Sequence, residues 1–244
     1  MSRQNFQEYK IWDLPTRLFH WINFVSIMGL IFVATIMMFK KELGITGLEA
    51  KIALKEVHIV IGYVFTINLL WRIIWGFIGG KYSRWGAIIP SKGYIPKLKN
   101  YLASIKLGKP QTYLGHNPLG RLAVTAMIAL MLALMLSGLI RAGTDVYYPP
   151  FGGAIAQYIA DENTPAQSIL PYNKQGTDPQ KLAQVDAMKD IAGEVHELAA
   201  FTLMFIILLH IFIVVRMEVR EEGRIISAMF SGKKIVTQKP EDLN

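Results

Sequence analysis

The sequence predicts an all-α membrane protein, a bundle of four transmembrane helices with its N and C termini in the cytoplasm. Of the 244 residues, 52% are hydrophobic and only 18% are charged, whereas a soluble domain carries more charge and no apolar runs of membrane length. Four runs approach the ~20 residues that span the hydrocarbon core; they cover about residues 18–39, 57–80, 119–140 and 195–215. We therefore expect residues 1–244 to form a single membrane domain.

The distribution of charge predicts how these helices are oriented. Residues 76–121 contain eight Lys or Arg and no acid, whereas residues 141–194 contain seven acids and four bases. The positive-inside rule places the first segment in the cytoplasm and a loop of residues 142–194 on the outer side of the membrane. The protein is thus expected to be a multi-pass membrane protein. Its net charge of +8 indicates contact with lipid headgroups, and we find no nucleic-acid-binding motif.

Helix boundaries and connecting segments follow from local signals. Asp13, followed by Leu14-Pro15, predicts the N-cap of the first helix, and Asp13 is also expected to pair with Arg17 one turn later. Apolar residues at helical spacing between residues 94 and 105 predict a helix that lies flat in the inner interface. In the loop 142–194, residues 182–191 predict a short amphipathic helix.

The third apolar run has no histidine and is predicted to act as a packing wall. Its small residues allow neighbouring helices to approach closely; they are Gly120, Ser137 and Gly138.

Four of the five histidines lie inside or at the edge of an apolar run, where imidazole is costly and usually functional; they are His20, His58, His196 and His210. Imidazole is also a common axial ligand of haem iron. His196 and His210 are fourteen residues apart, which on one helix separates them by about 21 Å and keeps them on nearly the same face. The chain has no cysteine, so any haem is predicted to be bound non-covalently.

The predicted topology decides which histidines share an iron. His20 and His210 fall at the inner depth, and His58 and His196 fall at the outer depth. Each pair would give a b haem two imidazole ligands and no free position, which suits electron transfer rather than oxygen chemistry. Two alternatives remain open at this point: a histidine-lined proton or solute transporter without haem, and a stand-alone quinol oxidase that delivers electrons to oxygen or superoxide.

Three further residues are candidates for cofactor binding near the inner face, and no catalytic residue is predicted. Arg72 is suited to pair with a haem propionate, although snorkelling to the inner headgroups would explain it equally well. Arg17 is a weaker candidate for the same role. His116 is a candidate contact for a quinone ring or a propionate, although the Asn-Pro that follows it also simply marks a helix start.

The chain resembles the bacterial four-helix cytochrome b group, the cytochrome b-561-like proteins that include the b-type subunit of membrane nickel–iron hydrogenases. The resemblance covers essentially the whole chain, through WDLPTRLFHW at residues 12–21, LWRIIWGF at 70–77, GHNP at 115–118, the spacing of the last two histidines, and REEG followed by ISAMFSG within 220–232. It implies two non-covalent b haems, ligated by His20, His58, His196 and His210.

The resemblance also implies a function. Members of this family lie in the bacterial cytoplasmic (inner) membrane and pass electrons across it between a periplasmic redox partner and the quinone of the respiratory chain. The resemblance thus implies this location for the chain, with loop 142–194 in the periplasm. The protein is therefore expected to be an electron-transfer subunit and membrane anchor of a larger quinone-linked oxidoreductase, as part of a larger complex or a homo-oligomer. The partner would be a hydrogenase or a multihaem cytochrome c, and the length of the loop 142–194 favours the cytochrome c.

Overall fold

The computed structural model describes residues 7–220 and 225–243, apart from the side chain of Arg220. Glu221-Glu222-Gly223, part of one matching stretch, lie outside the described residues. In chain order the elements are β1 (Gln7–Lys10), α1 (Leu14–Met38), α2 (Leu48–Ile78), α3 (Trp85–Ile88), α4 (Tyr94–Lys106), α5 (Pro118–Val146), α6 (Gly152–Ile159), a 3-10 turn (Ala166–Ser168), α7 (Pro179–Arg220), α8 (Ile225–Ser231) and β2 (Lys233–Val236).

Within the described part of the chain, four helices are long and apolar enough to cross a membrane, namely α1, α2, α5 and α7. The predicted four-helix membrane fold is confirmed. Large apolar side chains on these helices stay exposed, as for Phe77 (71%) and Leu198 (72%). Exposed apolar surface on this scale requires a lipid environment, so the chain is a multi-pass membrane protein.

The fourth membrane helix is twice as long as its apolar run. The separate short helix predicted at residues 182–191 is wrong, because these residues form the first part of the 42-residue helix α7. Gly193 does not break the helix, since a single glycine costs only about 1 kcal/mol relative to alanine. The Asp178 carboxylate begins α7 by accepting hydrogen bonds from the backbone N–H of Gln180 (2.8 Å) and Lys181 (3.2 Å).

Contacts divide the chain into two compact units. The first comprises the chain up to Asn23, Asn68–Ala129 and the chain from Leu203 onward. In this unit β1 and β2 form an antiparallel ribbon, in which Gln7 lies opposite Val236. A small apolar cluster of Ile11, Leu114 and Val236 packs beside this ribbon. The predicted helix at residues 94–105 is confirmed as α4, and its flat position in the interface stays a prediction.

Asp13 holds the start of α1 in place. Its carboxylate accepts hydrogen bonds from the backbone N–H of Thr16 (3.0 Å), from Trp75 Nε1 (3.1 Å), from the backbone N–H of Gly80 (3.1 Å) and from Ser83 Oγ (3.0 Å). Burial raises the pKa of Asp13, but these hydrogen bonds outweigh it and hold the pKa below the ordinary value. The predicted N-cap is confirmed.

The predicted ion pair between Asp13 and Arg17 is wrong. Arg17 Nη1 instead donates a hydrogen bond to the backbone carbonyl of Phe230, which tethers α8 to α1. The oxygens of Asp13 already accept hydrogen bonds from neutral donors, so the one-turn spacing alone does not produce the pair.

The second unit comprises Phe24–Ile67 and Leu130–Thr202. Here residues 147–178 of the loop fold onto the first turns of α7 through a buried apolar cluster formed by Ile155, Ala156, Ile159, Ile169 and Val185. This cluster gives the loop a small core of its own. In the same unit, Lys55 of α2 and Asp145 of α5 form a salt bridge of 2.8 Å.

Candidate cofactor sites

Two of the predicted ligands face each other in the second unit. α2 supplies His58 and α7 supplies His196, and their ring centroids lie 6.3 Å apart with an angle of 66° between the ring planes. Two imidazoles bound to opposite sides of one metal ion, each at about 2 Å, hold their centroids roughly 6 Å apart. The spacing of this pair therefore matches axial ligation of one metal ion.

The hydrogen bonds of the two rings differ. His196 Nδ1 lies 3.0 Å from Ser137 Oγ on α5, whereas the buried Nδ1 of His58 has no hydrogen-bond partner among the described residues. A buried polar atom without a partner is rare in a folded protein. The protein thus holds the two rings differently, since His196 has a side-chain partner at Nδ1 and His58 has none among the described residues.

Helix α5 lies directly against the His196 ring. A Cβ added at Gly138 would lie 3.3 Å from Cε1 of His196, so a larger residue there would press on the ring. The predicted role of Ser137 and Gly138 was close helix packing alone. Their contacts to His196 were missed, because the rotation of α5 about its axis cannot be read from its nearly uniform apolar sequence.

Arg141 was also missed as a residue of this site. It lies within electrostatic range of both His58 and His196 and forms a salt bridge of 3.4 Å with Asp145. The four-residue spacing from Ser137 to Arg141 places both on one face of α5, which is the sequence signal that could have found it.

The other predicted residues come together in the first unit. His20 on α1 lies within electrostatic range of His210 on α7, and its buried Nδ1 has no hydrogen-bond partner in the part of the chain that is described. The edge of the His20 ring packs against Trp21 with centroids 5.2 Å apart. His20 and His210 are therefore a second candidate pair of imidazoles that come from two different helices.

Arg72 is a buried cation beside this pair. The residue is 3% exposed, and its guanidinium lies near the rings of Phe19 (5.9 Å) and Trp85 (5.1 Å). Nη2 donates to the backbone carbonyl of Ser83 at 2.8 Å, while the buried Nη1 has no partner within the described residues. The Asp13 carboxylate lies within electrostatic range of the guanidinium, but it does not bond Nη1. Because a buried charged donor without a partner is expensive, this site is suited to bind a further anionic group.

His116 lies in the loop before α5 and packs against Trp12, with ring centroids 5.0 Å apart. It is within electrostatic range of both Arg72 and His210. Burial lowers the pKa of His116 to about 4, and the positive charge of Arg72 contributes. The ring is therefore neutral at physiological pH, and its buried Nδ1 has no hydrogen-bond partner in residues 7–220 or 225–243.

Arg17 belongs to the same unit but is engaged differently. Its Nη1 is used by the carbonyl of Phe230, and its Nε lies 3.3 Å from the position of a Cβ at Gly232. The contacts of Arg17 thus connect it to the C-terminal segment, and its predicted contact with a cofactor stays a prediction.

The ligand sets suit haem better than a bare metal ion. Within the described residues, no group of three or more His, Cys, Asp or Glu could hold a metal ion. Haem iron takes its equatorial ligands from the porphyrin and needs only axial ligands from the protein. Paired imidazoles with a buried arginine nearby are the side chains required by an iron porphyrin with its propionates.

Facing intramembrane histidines in a four-span protein are typical of membrane haem proteins. The prokaryotic cytochrome b561 family matches residues 11–232, and the chain belongs to this family. It is therefore a haem-binding cytochrome b of the membrane that takes part in electron transport. This result confirms the resemblance found in the sequence.

Several curated relatives are similar over most of their length. The probable Ni/Fe-hydrogenase B-type cytochrome subunit of Rhizobium leguminosarum bv. viciae is 23% identical over 96% of this chain and 92% of its own length. The proteins of the same description from Bradyrhizobium diazoefficiens (25% identical, 92% and 85%) and Cupriavidus necator (23% identical, 91% and 85%) align similarly. No solved structure matches the chain.

Proposed function

We propose that the protein is a di-haem cytochrome b that carries electrons across the bacterial inner membrane between a periplasmic redox protein and quinone. The observation that carries this proposal is the facing pair of His58 and His196, with 6.3 Å between ring centroids. We assign these two residues to the iron of the outer haem, and His20 with His210 to the iron of the inner haem. Each bound haem supplies one-electron redox chemistry.

The residues around each pair have defined roles in this proposal. Two imidazoles would hold each iron, and the bound haem would exchange electrons without binding oxygen. Arg72 would bind a propionate of the inner haem through Nη1, and Arg141 would bind a propionate of the outer haem. His116, neutral and buried beside Arg72, contacts the second inner propionate or the quinone ring, and Arg17 is a further contact at this level.

The orientation and the partner belong to the same proposal. The charge pattern supports cytoplasmic termini and a periplasmic loop 142–194 within a single membrane domain. The relatives that align over most of the chain are named as hydrogenase cytochrome subunits, which favours a nickel–iron hydrogenase over a multihaem cytochrome c. We propose that this hydrogenase docks on the loop and that the complex is a quinone-linked oxidoreductase, in which this chain is the membrane anchor.

Electron transfer through the purified protein tests this function. The chain is reconstituted into liposomes that hold ferricyanide, and dithionite is added outside. We expect ferricyanide inside to be reduced faster than in protein-free liposomes. His58→Ala and His196→Ala should bring the rate down to that of protein-free liposomes, because each variant removes a ligand of the outer haem. A haem-free purified protein that moves protons or solutes would contradict the proposal and support the transporter alternative.

A further inference from the structure

We propose that Ser137 is a positioning residue for His196: it fixes the tautomer of this histidine and strengthens it as an iron ligand, although α5 contributes no ligand itself. This inference rests on the proposed function, since it takes His196 as a ligand of the outer haem. It assigns to α5 an influence on the redox potential of that haem.

The direction of the hydrogen bond follows from the neighbours of the serine. Ser137 Oγ lies 2.7 Å from the backbone carbonyl oxygen of Ala133 and 3.0 Å from His196 Nδ1. A carbonyl oxygen only accepts, so the hydroxyl proton of Ser137 is directed to Ala133. The serine oxygen must then accept a hydrogen bond from His196, which means that Nδ1 carries the hydrogen.

A second acceptor for the serine proton agrees with this assignment. Ser137 Oγ also lies 3.4 Å from the backbone carbonyl oxygen of Leu134, which can only accept. With its proton on Nδ1, His196 presents the lone pair of Nε2 to the iron. The second hydrogen-bond partner of a metal-bound histidine fixes its tautomer and its orientation in this way.

The site is built tightly enough for such a role. Ser137 is buried, with 3% exposure, so water does not compete for the hydrogen bond. The neighbouring Gly138 leaves room for the ring, because a Cβ there would lie 3.3 Å from Cε1 and 3.7 Å from Nδ1 of His196. Ser137 supplies the polar contact and Gly138 the space, and together they set the position of the ring.

The two ligands of the outer haem are therefore unequal. The Nδ1 of His58 has no hydrogen-bond partner among the residues described, whereas His196 donates to Ser137. A hydrogen bond from Nδ1 raises the basicity of the imidazole, and a more basic ligand stabilises ferric over ferrous iron. Loss of the serine hydroxyl should consequently shift the midpoint potential of the outer haem to a more positive value.

The test compares Ser137→Ala with a matched control on the same helix. Thr144 is also buried on α5, and its hydroxyl bonds the carbonyls of Ile140 and Arg141 on its own helix, so Thr144→Val removes a buried hydroxyl without touching a ligand. Each protein is purified with its haems and titrated optically. The outer haem is identified as the component that His58→Ala removes.

We expect Ser137→Ala to raise the midpoint potential of the outer haem, to change its ferric low-spin EPR signal and to leave the inner haem unchanged. Ser137→Thr, which keeps a hydroxyl, should have the wild-type potential and EPR signal. Thr144→Val should also leave the potential and EPR signal of the outer haem unchanged. Selective loss of the outer haem from Ser137→Ala would also support the proposal. If this variant fails to accumulate, Ser137→Cys, whose sulfur is a weaker acceptor, should give a smaller shift of the same sign.

The outcomes separate this inference from the proposed function. Unchanged potential and EPR signal in Ser137→Ala or, where that variant does not accumulate, in Ser137→Cys would overturn the role of Ser137 while leaving the two haems in place. An equal shift in Thr144→Val would overturn it as well, since the effect would then reflect buried polarity in general. A wild-type protein without haem, or a His58→Ala protein with both haems, would instead refute the proposed function.

Discussion

Arg72 is the residue whose burial most needs an explanation. The guanidinium is 3% exposed, donates one hydrogen bond to a carbonyl and has the Asp13 carboxylate within electrostatic range. Its buried Nη1 nevertheless has no hydrogen-bond partner among the described residues, and a buried charged group with an unmet donor is costly unless a further anion compensates it. Its place beside His116 and within the unit that holds His20 and His210 makes a haem propionate the matching anion.

Replacing Arg72 with methionine should affect the inner haem selectively. Loss of a nearby positive charge disfavours the reduced form, so we expect a lower midpoint potential or a reduced content of the inner haem, with an unchanged outer haem. Optical redox titration of purified protein measures both. Arg84→Met is the control, because Arg84 lies in the same compact unit but is exposed and donates a hydrogen bond to the carbonyl of Gly79. Equal behaviour of the two variants would rule out a propionate contact by Arg72.

Single residues also show what the sequence can and cannot reveal about the site. The four histidines and Arg72 are conspicuous because ionisable groups in apolar runs are costly wherever the helices pack. Ser137 and Arg141 are different: their importance depends on which face α5 turns toward His196, and α5 is apolar on all sides. Asp13 illustrates both cases. Its role as N-cap of α1 follows from the local sequence, whereas its hydrogen bonds to Trp75 and Ser83 depend on how distant parts of the chain pack.

Among the elements, the membrane helices and the start of α1 were predictable, but the start of α7 was not. Apolar runs identify α1, α2, α5 and α7, because a helix that crosses lipid must be apolar. Helix α7, however, begins sixteen residues before its apolar run at 195–215. The ribbon of β1 and β2 had no sequence signal. Its strands have four residues each and pair Gln7 with Val236, so neither periodicity nor proximity in the chain indicates them.

The start of α6 depends on a close backbone approach at Gly152. A Cβ there would lie 1.9 Å from the backbone carbonyl atoms of Tyr147, whereas a Cβ at Gly153 would meet nothing within 4 Å. Gly152→Ala should therefore destabilise the protein by more than about 2 kcal/mol, and Gly153→Ala should stabilise it by about 0.5–1 kcal/mol. Unfolding of the detergent-purified protein, followed by circular dichroism, measures both. Similar stabilities for the two variants would contradict this packing.

At the scale of the whole molecule, the distribution of charge predicts the orientation in the membrane. Because the chain has no cysteine, Lys99→Cys and Gln167→Cys each introduce a single thiol at an exposed position. With a membrane-impermeant maleimide and a permeabilised outer membrane, we expect only Gln167→Cys to react in intact cells. Lys99→Cys should react after the inner membrane is opened. Labelling of Lys99→Cys in intact cells would reverse the proposed topology.

The central claim is that two haems are each held between histidines of two different helices. The most direct measurement is the number of b haems per chain, from pyridine haemochrome spectra and amino-acid analysis of the purified protein. We predict two haems in the wild type and one in both His58→Ala and His196→Ala, with the inner haem retained. A wild-type ratio of one or none, or the loss of both haems from either variant, would contradict two independent pairs.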